Sequence, residues 1–518
     1  MQSNNCKMKV NAQILIVMLL LSLMNVNAQT YFNNRYDGSG SCDLTANIDT
    51  IANKYVTAGI ECTPISYFSL NMSSFYYNGT LCRKKTYAWL NNNIEASKVK
   101  WINKNRVYAC GIRVPLGYRS KTFMWRFNSE LDSVDYKEYG FANQINWAYN
   151  FIINKYDNNI YMTGLVDDTL YTNRDILLIK TDTAGNEIWK KKIGIVGLDE
   201  TAVTIDTLQG ELIIGGYKTT HGTYNTAGFV MRLDTAGNVI WNKTVNTNFG
   251  SGSGAKTLKD GNVLVYSGYR QYSIGTDDYL RMQVEKITPN NVTLWNKHYN
   301  APQMYAGASI AIENTRGNIV IASQTGFFSN MINGKVNEIA QNGDSLFTKE
   351  YAIMPGSQNY FRDVMQTTDG GYCFAGFVIP LPEYSGTGTE DIWLLKVDSN
   401  FCESSAPCGY GVGLIEQEIL NGGIRLYPNP ASSVINIEFS SLDFARDDKP
   451  KLTEPITIQI TNTLGQVLIS KTYTTSQITQ NNGIITLSPL EELEGTGMYY
   501  LSVKTKDKTR TQKIIIKK

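Results

Sequence analysis

The sequence predicts an all-β protein, a seven-bladed β-propeller followed by a small Ig-like β-sandwich. Three observations support this prediction. A unit of about 52 residues recurs seven times, and each unit holds several short apolar runs separated by tight-turn sequences. A period of that size is typical of propellers and solenoids. The composition, with 43 Gly, 32 Tyr and only 18% charged residues, suits strands and turns better than helices.

The first 28 residues predict a secretory signal peptide. Lys7 and Lys9 precede an unbroken apolar stretch over residues 14–21, and residues 26–28 are the short side chains that a signal peptidase reads. The stretch is too short for a permanent membrane-spanning helix. We therefore expect cleavage before Gln29 and no transmembrane segment in the mature chain, with an uncleaved anchor as the alternative.

One small residue marks each unit of the predicted propeller, over residues 29–408. The intervals between these positions are 52, 53, 52, 52, 55 and 53 residues, and the positions are Gly59, Gly111, Gly164, Gly216, Gly268, Ser323 and Gly376. The run that precedes each position is apolar at successive residues, as at 319–322 and 372–375. Such runs predict strands that are covered on both faces, the buried middle strands of the blades.

A second recurring pattern predicts the outer half of each blade. Residues 175–189 contain an apolar run, then Asp182-Thr-Ala-Gly185, then Trp189, and the pattern returns around Trp241, Trp295 and Phe347. The Asp-x-x-Gly piece predicts a hairpin, because Asp accepts hydrogen bonds from the backbone ahead of it and Gly tolerates positive φ. The aromatic residue is then expected on the outer strand. A weaker copy at 126–134 has Asp135 in the aromatic position.

The two ends of the repeat predict how the ring closes. The last unit stops at Asp398 without an outer strand, whereas residues 31–36 (Tyr-Phe-Asn-Asn-Arg-Tyr) resemble the outer strand at 294–299 (Leu-Trp-Asn-Lys-His-Tyr). A strand supplied by the N-terminus to the final blade would leave no open edge. The run Asp369-Gly-Gly-Tyr372 followed by residues 391–398 resembles propeller repeats of secreted Bacteroidetes proteins, a resemblance that covers about residues 30–405 and implies the fold but no activity.

After a linker at 409–424, residues 425–518 predict a small β-sandwich. Short strands are expected at 434–439, 456–460, 484–487, 498–503 and 513–516. The Tyr-Pro-Asn-Pro start at 427–430, the hairpin at 462–467, the run 497–503 and the basic end at 513–518 resemble the type A C-terminal sorting domain of the type IX secretion system. This resemblance implies passage across the outer membrane with that machinery as partner, and then release or surface attachment. An Ig-like accessory domain is the alternative.

Seven cysteines follow the signal peptide. In an oxidising compartment they predict a few disulfides, with Cys402 and Cys408 the favoured pair because their loop is short, and one thiol left over. Neither a Cys-x-x-Cys pair nor a nearby histidine supports zinc, so no metal site is predicted. A net charge of +2 argues against a nucleic-acid partner.

The sequence predicts no catalytic residue, cofactor or cofactor site. His221 is expected in a polar connection and His298 on an outer strand. The acidic pairs at 167–168, 277–278 and 390–391 could serve glycoside hydrolysis or hold calcium, but their place before the third strands favours solvated loops. The spacing of Asp, Gly and Trp departs from the Asp box of sialidases, and nothing beyond the repeat supports a quinone cofactor.

These observations favour a protein of the cell exterior that is not an enzyme. We expect a secreted or outer cell-surface protein that binds an extracellular glycan or protein, with the loops at 326–334 and 381–388 as first candidates. The alternative is a secreted hydrolase or lyase that acts on polysaccharide through acidic and Tyr residues at the channel. A cluster of carboxylates at the channel mouth would favour the alternative, and scattered ones would favour binding.

Overall fold

The computed structural model describes the chain over residues 30–36, 43–51, 53–62, 68–103, 106–115, 119–168, 174–221, 226–246, 249–274, 277–303, 305–328, 331–380, 390–404, 424–427, 431, 433–439, 455–462, 466–480, 484–488, 497–504 and 509–516. The chain divides into two compact units, residues 1–410 and 411–518. Each unit is described on its own.

The first unit is a seven-bladed β-propeller. Its first strand, β1 (Phe32–Tyr36), belongs to the last blade. Blades 1 to 3 are β2 (Asp43–Ile51), β3 (Lys54–Cys62), β4 (Phe68–Tyr76), β5 (Leu81–Tyr87); β6 (Asn92–Asn103), β7 (Arg106–Pro115), β8 (Lys121–Phe127), β9 (Ser133–Tyr139); and β10 (Ile145–Asn154), β11 (Asn159–Asp167), β12 (Arg174–Thr181), β13 (Glu187–Ile193).

The remaining blades repeat this order of four antiparallel strands. Blade 4 holds β14 (Leu198–Leu208), β15 (Glu211–Thr220), β16 (Thr226–Leu233) and β17 (Val239–Asn246), and blade 5 holds β18 (Phe249–Thr257), β19 (Val263–Ile274), β20 (Asp277–Ile287) and β21 (Thr293–Gln303). Blade 6 holds β22 (Tyr305–Glu313), β23 (Ile319–Phe328), β24 (Met331–Ile339) and β25 (Ser345–Tyr351). Blade 7 holds β26 (Gln358–Gln366), β27 (Tyr372–Ile379) and β28 (Asp391–Val397), with β1 as its outer strand. The predicted middle strands are the second strands of their blades and are buried.

The strand β1 closes the ring in the predicted way. It pairs antiparallel with β28, with Phe32 opposite Lys396, as Trp295 of β21 lies opposite Lys286 in blade 5. Phe32 therefore takes the aromatic position of blade 7. The Asn33 side-chain oxygen accepts a hydrogen bond from Trp393 Nε1 at 2.7 Å, so the closing strand is joined to blade 7 by side chains as well as by its backbone.

The small residue that recurs once in each unit lies on the second strand of its blade, opposite a β-bulge in the first strand, and every blade has this bulge. In blade 4, Gly216 lies opposite Ala202 and the ladder then skips Val203. A Cβ atom at the glycine would lie 1.7–2.0 Å from a carbonyl oxygen of that first strand in five blades, at Gly59, Gly111, Gly164, Gly216 and Gly376. In these five blades the glycine is thus required by the close approach of the bulged strand, whereas in blade 6 Ser323 lies opposite the bulged strand.

Tyrosines at the ends of outer strands join neighbouring blades. Tyr139 donates a hydrogen bond to the Gly185 carbonyl at 2.7 Å, and Gly185 has φ of 77° in the predicted Asp-x-x-Gly hairpin. Tyr299 makes the same bond to the Gly343 carbonyl at 2.6 Å. Tyr36 of the closing strand donates to the Gly79 carbonyl of blade 1. The junction that closes the ring therefore has the same chemistry as the others.

The second unit is a two-sheet sandwich. One sheet holds β29 (Ile424–Tyr427), β30 (Ile435–Phe439) and β33 (Ile484–Leu487), and the other holds β31 (Ile456–Thr461), β32 (Val467–Tyr473), β34 (Gly497–Lys504) and β35 (Thr509–Ile516). Alternate isoleucines of both sheets form one buried core. Ile424, the last residue of the predicted linker, belongs to β29. The short helix α1 (Thr475–Gln480) was not predicted, although Thr474 and Gln477 form the reciprocal hydrogen bonds of a capping box.

Candidate functional site

The first strands of the seven blades line a cavity of about 220 Å³ along the propeller axis. Six charged residues contribute to its wall, and they are Asp49, Lys98, Lys100, Asp206, Lys256 and Asp363. Lys98 pairs with Asp363, and Lys256 pairs with Asp206 at 2.8 Å. Among the described residues of its wall, the channel therefore holds three acidic and three basic side chains.

The channel aspartates hold the blades together. Asp49 accepts hydrogen bonds from its neighbour Thr50 and from the backbone N–H of Trp101 in the next blade, at 2.7 and 2.8 Å. Asp206 does the same with Thr207 and with Thr257 of the following blade. These carboxylates are used structurally, since each one satisfies two backbone donors that would otherwise lack a partner.

A second cavity, which we call the aromatic pocket, is formed by blades 2, 3 and 4. Its volume is about 400 Å³. Blade 3 supplies Trp147 and Tyr149, whose rings are stacked with centroids 4.9 Å apart and planes at 20°. Tyr217 of blade 4 adds a third aromatic side chain. Trp147 Nε1 donates to Ser97 Oγ at 2.9 Å, which fixes the orientation of the indole ring. The pocket thus presents a preformed aromatic surface.

Asp167 supplies a buried carboxylate to the aromatic pocket. It is only 3% exposed, and Arg174 Nε donates to its Oδ2 at 3.2 Å. Its other oxygen, Oδ1, has no hydrogen-bond partner among the described residues. Burial raises the pKa of Asp167, while the charge of Arg174 opposes that change. A buried acceptor without a donor is costly, so the pocket is suited to a ligand that brings a hydroxyl or amide N–H.

Two positions of each first strand, the bulge residue and the residue two before it, determine which side chains face the channel mouth near this pocket. The residue two before the bulge residue is Glu95 in blade 2, Trp147 in blade 3 and Tyr360 in blade 7. Burial raises the pKa of Glu95 to about 7, and Arg362 opposes the change. Arg362, the bulge residue of blade 7, stacks on Phe377 at 5.0 Å. Aromatic and ionisable groups therefore share one end of the channel.

The two histidines lie apart from both cavities. His221 is 41% exposed and faces Asp199 at 3.1 Å. His298 lies on the outer strand β21, as predicted, with its ring 4.3 Å from that of Tyr269. Burial and the charge of Arg281 lower the pKa of His298.

The prediction that the acidic pairs are solvated loop residues is wrong for one member of two of the pairs, whereas Asp168 and Glu390 lie outside the strands and are partly exposed. Asp167 is buried at the end of β11, and Asp391 is fully buried at the start of β28, where Arg35 of the closing strand reaches it. Each has an arginine partner, which is the usual condition for burying a carboxylate. Asp278 remains partly exposed and accepts a hydrogen bond from Ser273.

The sequence-based search missed the aromatic pocket. It proposed the loops at 326–334 and 381–388, but residues 329–330 and 381–389 lie outside the described residues. One signal was available, because a Trp and a Tyr two residues apart occur in the first strand of blade 3, where the same positions of blade 4 hold Thr201 and Val203.

Among the described residues, no group of His, Cys, Asp and Glu is arranged to hold a metal ion. None of the described helices is both long and apolar enough to cross a membrane. Cys82, Cys110 and Cys373 are free thiols. The pairing of Cys402 with Cys408 stays a prediction, because Cys408 lies outside the described part of the chain.

Comparison with protein families identifies the second unit. Residues 425–517 match the model of the secretion system C-terminal sorting domain. The module is a sorting domain of the type IX secretion system, which confirms the prediction from its motifs. The protein is accordingly exported, to the medium or to the outer cell surface, and its sorting domain interacts with the secretion machinery.

Three solved structures illustrate what the chain resembles at low sequence identity. An α-L-arabinofuranosidase of Fusarium graminearum with arabinobiose has a TM-score of 0.42 at 10% identity, covering 71% of this chain and 98% of that one. Drosophila Plexin A in complex with Semaphorin 1b gives 0.41 at 8% identity, covering 71% and 88%. A protein of unknown function from Dyadobacter fermentans gives 0.39 at 11%, covering 60% and 95%. A search of curated proteins found no match.

Proposed function

We propose that this exported protein binds an extracellular glycan and that the aromatic pocket holds one of its sugar residues. The observation that supports this proposal is the buried Asp167 carboxylate beside the stacked rings of Trp147 and Tyr149. A sugar ring has C–H groups on its faces and hydroxyl groups on its edge. Aromatic faces carry a negative potential that attracts such C–H groups, and pockets with aromatic walls and a few placed polar groups are typical ligand sites.

The polar groups of the pocket suit the hydroxyl groups of a sugar. Asp167 Oδ1 accepts from one hydroxyl, and Arg174, already held by Oδ2, is placed to donate to a neighbouring one. Ser120 and Arg119 also line the pocket. Because a buried acceptor left unpaired is costly, a site of this kind discriminates strongly against ligands that lack the hydroxyl.

Binding is favoured over hydrolysis by what the channel carboxylates do. A glycosidase needs two carboxyl groups free to exchange protons or attack the sugar. Asp49 and Asp206 instead accept backbone hydrogen bonds that join blades, and Asp363 is paired with Lys98. Glu95, whose pKa is raised to about 7 by burial, is not among the described residues that line the channel cavity with these aspartates.

The organisation of the chain agrees with a role outside the cell. We propose that residues 1–28 are a leader that is removed, that residues 29–408 form the ligand-binding propeller, and that residues 425–518 direct its export. A net charge of +2 over 518 residues gives no broad field, so recognition would depend on local shape and hydrogen bonding.

The experiment is an affinity electrophoresis screen of the purified full-length protein against soluble polysaccharides, followed by titration of any that retard it. Trp147→Ala and Asp167→Asn are each expected to weaken binding at least tenfold. The control is Trp101→Ala, which removes an equally large, partly exposed ring that does not line the pocket.

Failure of every polysaccharide to retard the protein, or unchanged binding by Trp147→Ala, would contradict the proposal. Release of reducing ends from a bound polysaccharide would support the hydrolase instead. A melting temperature close to that of the parent shows that each variant is folded.

A further inference from the structure

The lysines of the propeller channel are not equivalent. Lys98 and Lys256 each pair with an aspartate of another blade. Lys100 also lines the channel, but it forms no ion pair with a carboxylate in the described part of the chain. Its Nζ lies 5.8 Å from the centroid of the Phe151 ring. Among the described residues of the channel wall, Lys100 is therefore an ammonium group without a direct counter-ion.

The carboxylates that could serve Lys100 are already engaged. Six backbone N–H groups donate to the six carboxylate oxygens of the channel aspartates: Thr50 and Trp101 to Asp49, Thr207 and Thr257 to Asp206, and Val364 and Ile48 to Asp363. An ammonium group has three N–H donors and no acceptor. The channel consequently has more charged donors than free acceptors.

Lys100 also lacks full electrostatic compensation. Burial, together with the charges of Lys98 and Lys256, lowers its pKa to about 8, and the charges of Asp206 and Asp49 only partly oppose this change. Asp363 and Tyr266 complete the titratable groups of the cavity wall. At neutral pH Lys100 is mostly protonated, so a negatively charged ligand would remove a repulsion between lysines that the aspartates only partly offset.

We propose that the propeller channel binds a small oxyanion, held by Lys100 together with Lys98 and Lys256. The cavity of about 220 Å³ has room for a tetrahedral ion of the size of sulfate or phosphate. Such an ion supplies a direct counter-charge to Lys100 and a further acceptor to Lys98 and Lys256, and it would join blade 2 to blade 5. The site is separate from the aromatic pocket, which shares none of its lining residues.

Isothermal titration calorimetry of the full-length protein with sodium sulfate tests this proposal. Sulfate keeps its charge between pH 7 and 9, so any pH dependence comes from the protein. We expect saturable binding at pH 7 and about tenfold weaker binding at pH 9, because roughly one Lys100 in ten is then protonated. Lys100→Met should abolish binding, whereas the exposed Lys155→Met should leave it unchanged.

Absence of saturable binding by the parent protein, or equal binding by Lys100→Met, would overturn the proposal. Lys100→Arg provides a second test if the Met variant does not fold, because arginine stays charged at pH 9. Its sulfate affinity should be the same at pH 7 and 9. A tenfold loss in that variant would show that another group titrates, which would also overturn the assignment to Lys100.

Discussion

Replacing Arg35 by Met tests how much the closing strand stabilises the propeller. The Asp391 carboxylate is 0% exposed and accepts hydrogen bonds from Arg35 Nε and from a terminal guanidinium nitrogen, both at 2.6 Å. Removing the guanidinium leaves a buried charge without its partner, which typically costs 3–5 kcal/mol. Because Arg35 itself is 27% exposed, we expect the lower end, about 3 kcal/mol.

Urea unfolding of the full-length protein, followed by tryptophan fluorescence, measures this loss, and a thermal scan should show a fall of about 4 °C for a propeller of this size. The matched control is Arg83→Met, whose partner Glu130 is 2.9 Å away with both side chains more than 40% exposed. That pair should contribute less than about 1 kcal/mol.

The double variant Arg35→Met with Asp391→Leu should recover most of the stability, because an apolar replacement of a buried pair is often neutral. If Arg35→Met destabilised the protein no more than Arg83→Met, the closing strand could not be a main support of the ring.

Two further predictions concern the bulge and the channel mouth. Gly216→Ala places a Cβ 2.0 Å from the Thr201 carbonyl oxygen and should lower the free energy of unfolding in urea by about 3 kcal/mol. The control is Ser323→Ala, because the same position of blade 6 already has a Cβ, and its cost should be about 1 kcal/mol or less. Equal losses of stability in the two variants would refute the role of the bulge. Glu95 is neutral in the folded state up to pH about 7 but ionises near pH 4.5 in the unfolded state. Its contribution to stability is therefore full below pH 4.5 and is lost as the pH rises through 7. Glu95→Gln should be more stable than the parent at pH 8, by at most about 3 kcal/mol, and equally stable at pH 4. Parallel pH profiles would show that Glu95 is not buried as described.

The fold could be predicted from the sequence because its determinants repeat. The bulge demands a glycine in blade after blade, so Gly59 and Gly376 mark the same event although they are far apart in the chain. The closing strand was predictable for the same reason, since residues 31–36 repeat the outer-strand pattern of residues 294–299. Agreement between local turn chemistry and a global period is what made the prediction possible.

The candidate site could not be predicted in the same way because its residues do not repeat. Trp147, Glu95 and Tyr360 occupy one structural position in three blades, but two of them are aromatic and the third is an acid. Asp167 was expected in a solvated loop because it comes before a third strand, where polar turn residues are common, and only the three-dimensional structure brings Arg174 to its side. Which residues face the channel depends on the bulge, and a one-residue insertion reverses the alternation of the strand.

The pairing of β1 with β28 places the two ends of the propeller segment of the chain side by side. Phe32 lies opposite Lys396, so a turn of a few residues after Val397 could lead directly into β1, as the hairpins do in the other blades. A circular permutant joined there and opened instead at the exposed hairpin around Ala236 would contain the same seven blades in the same order. The position where the chain starts is thus a matter of its genetic arrangement, while the ring itself has no first blade.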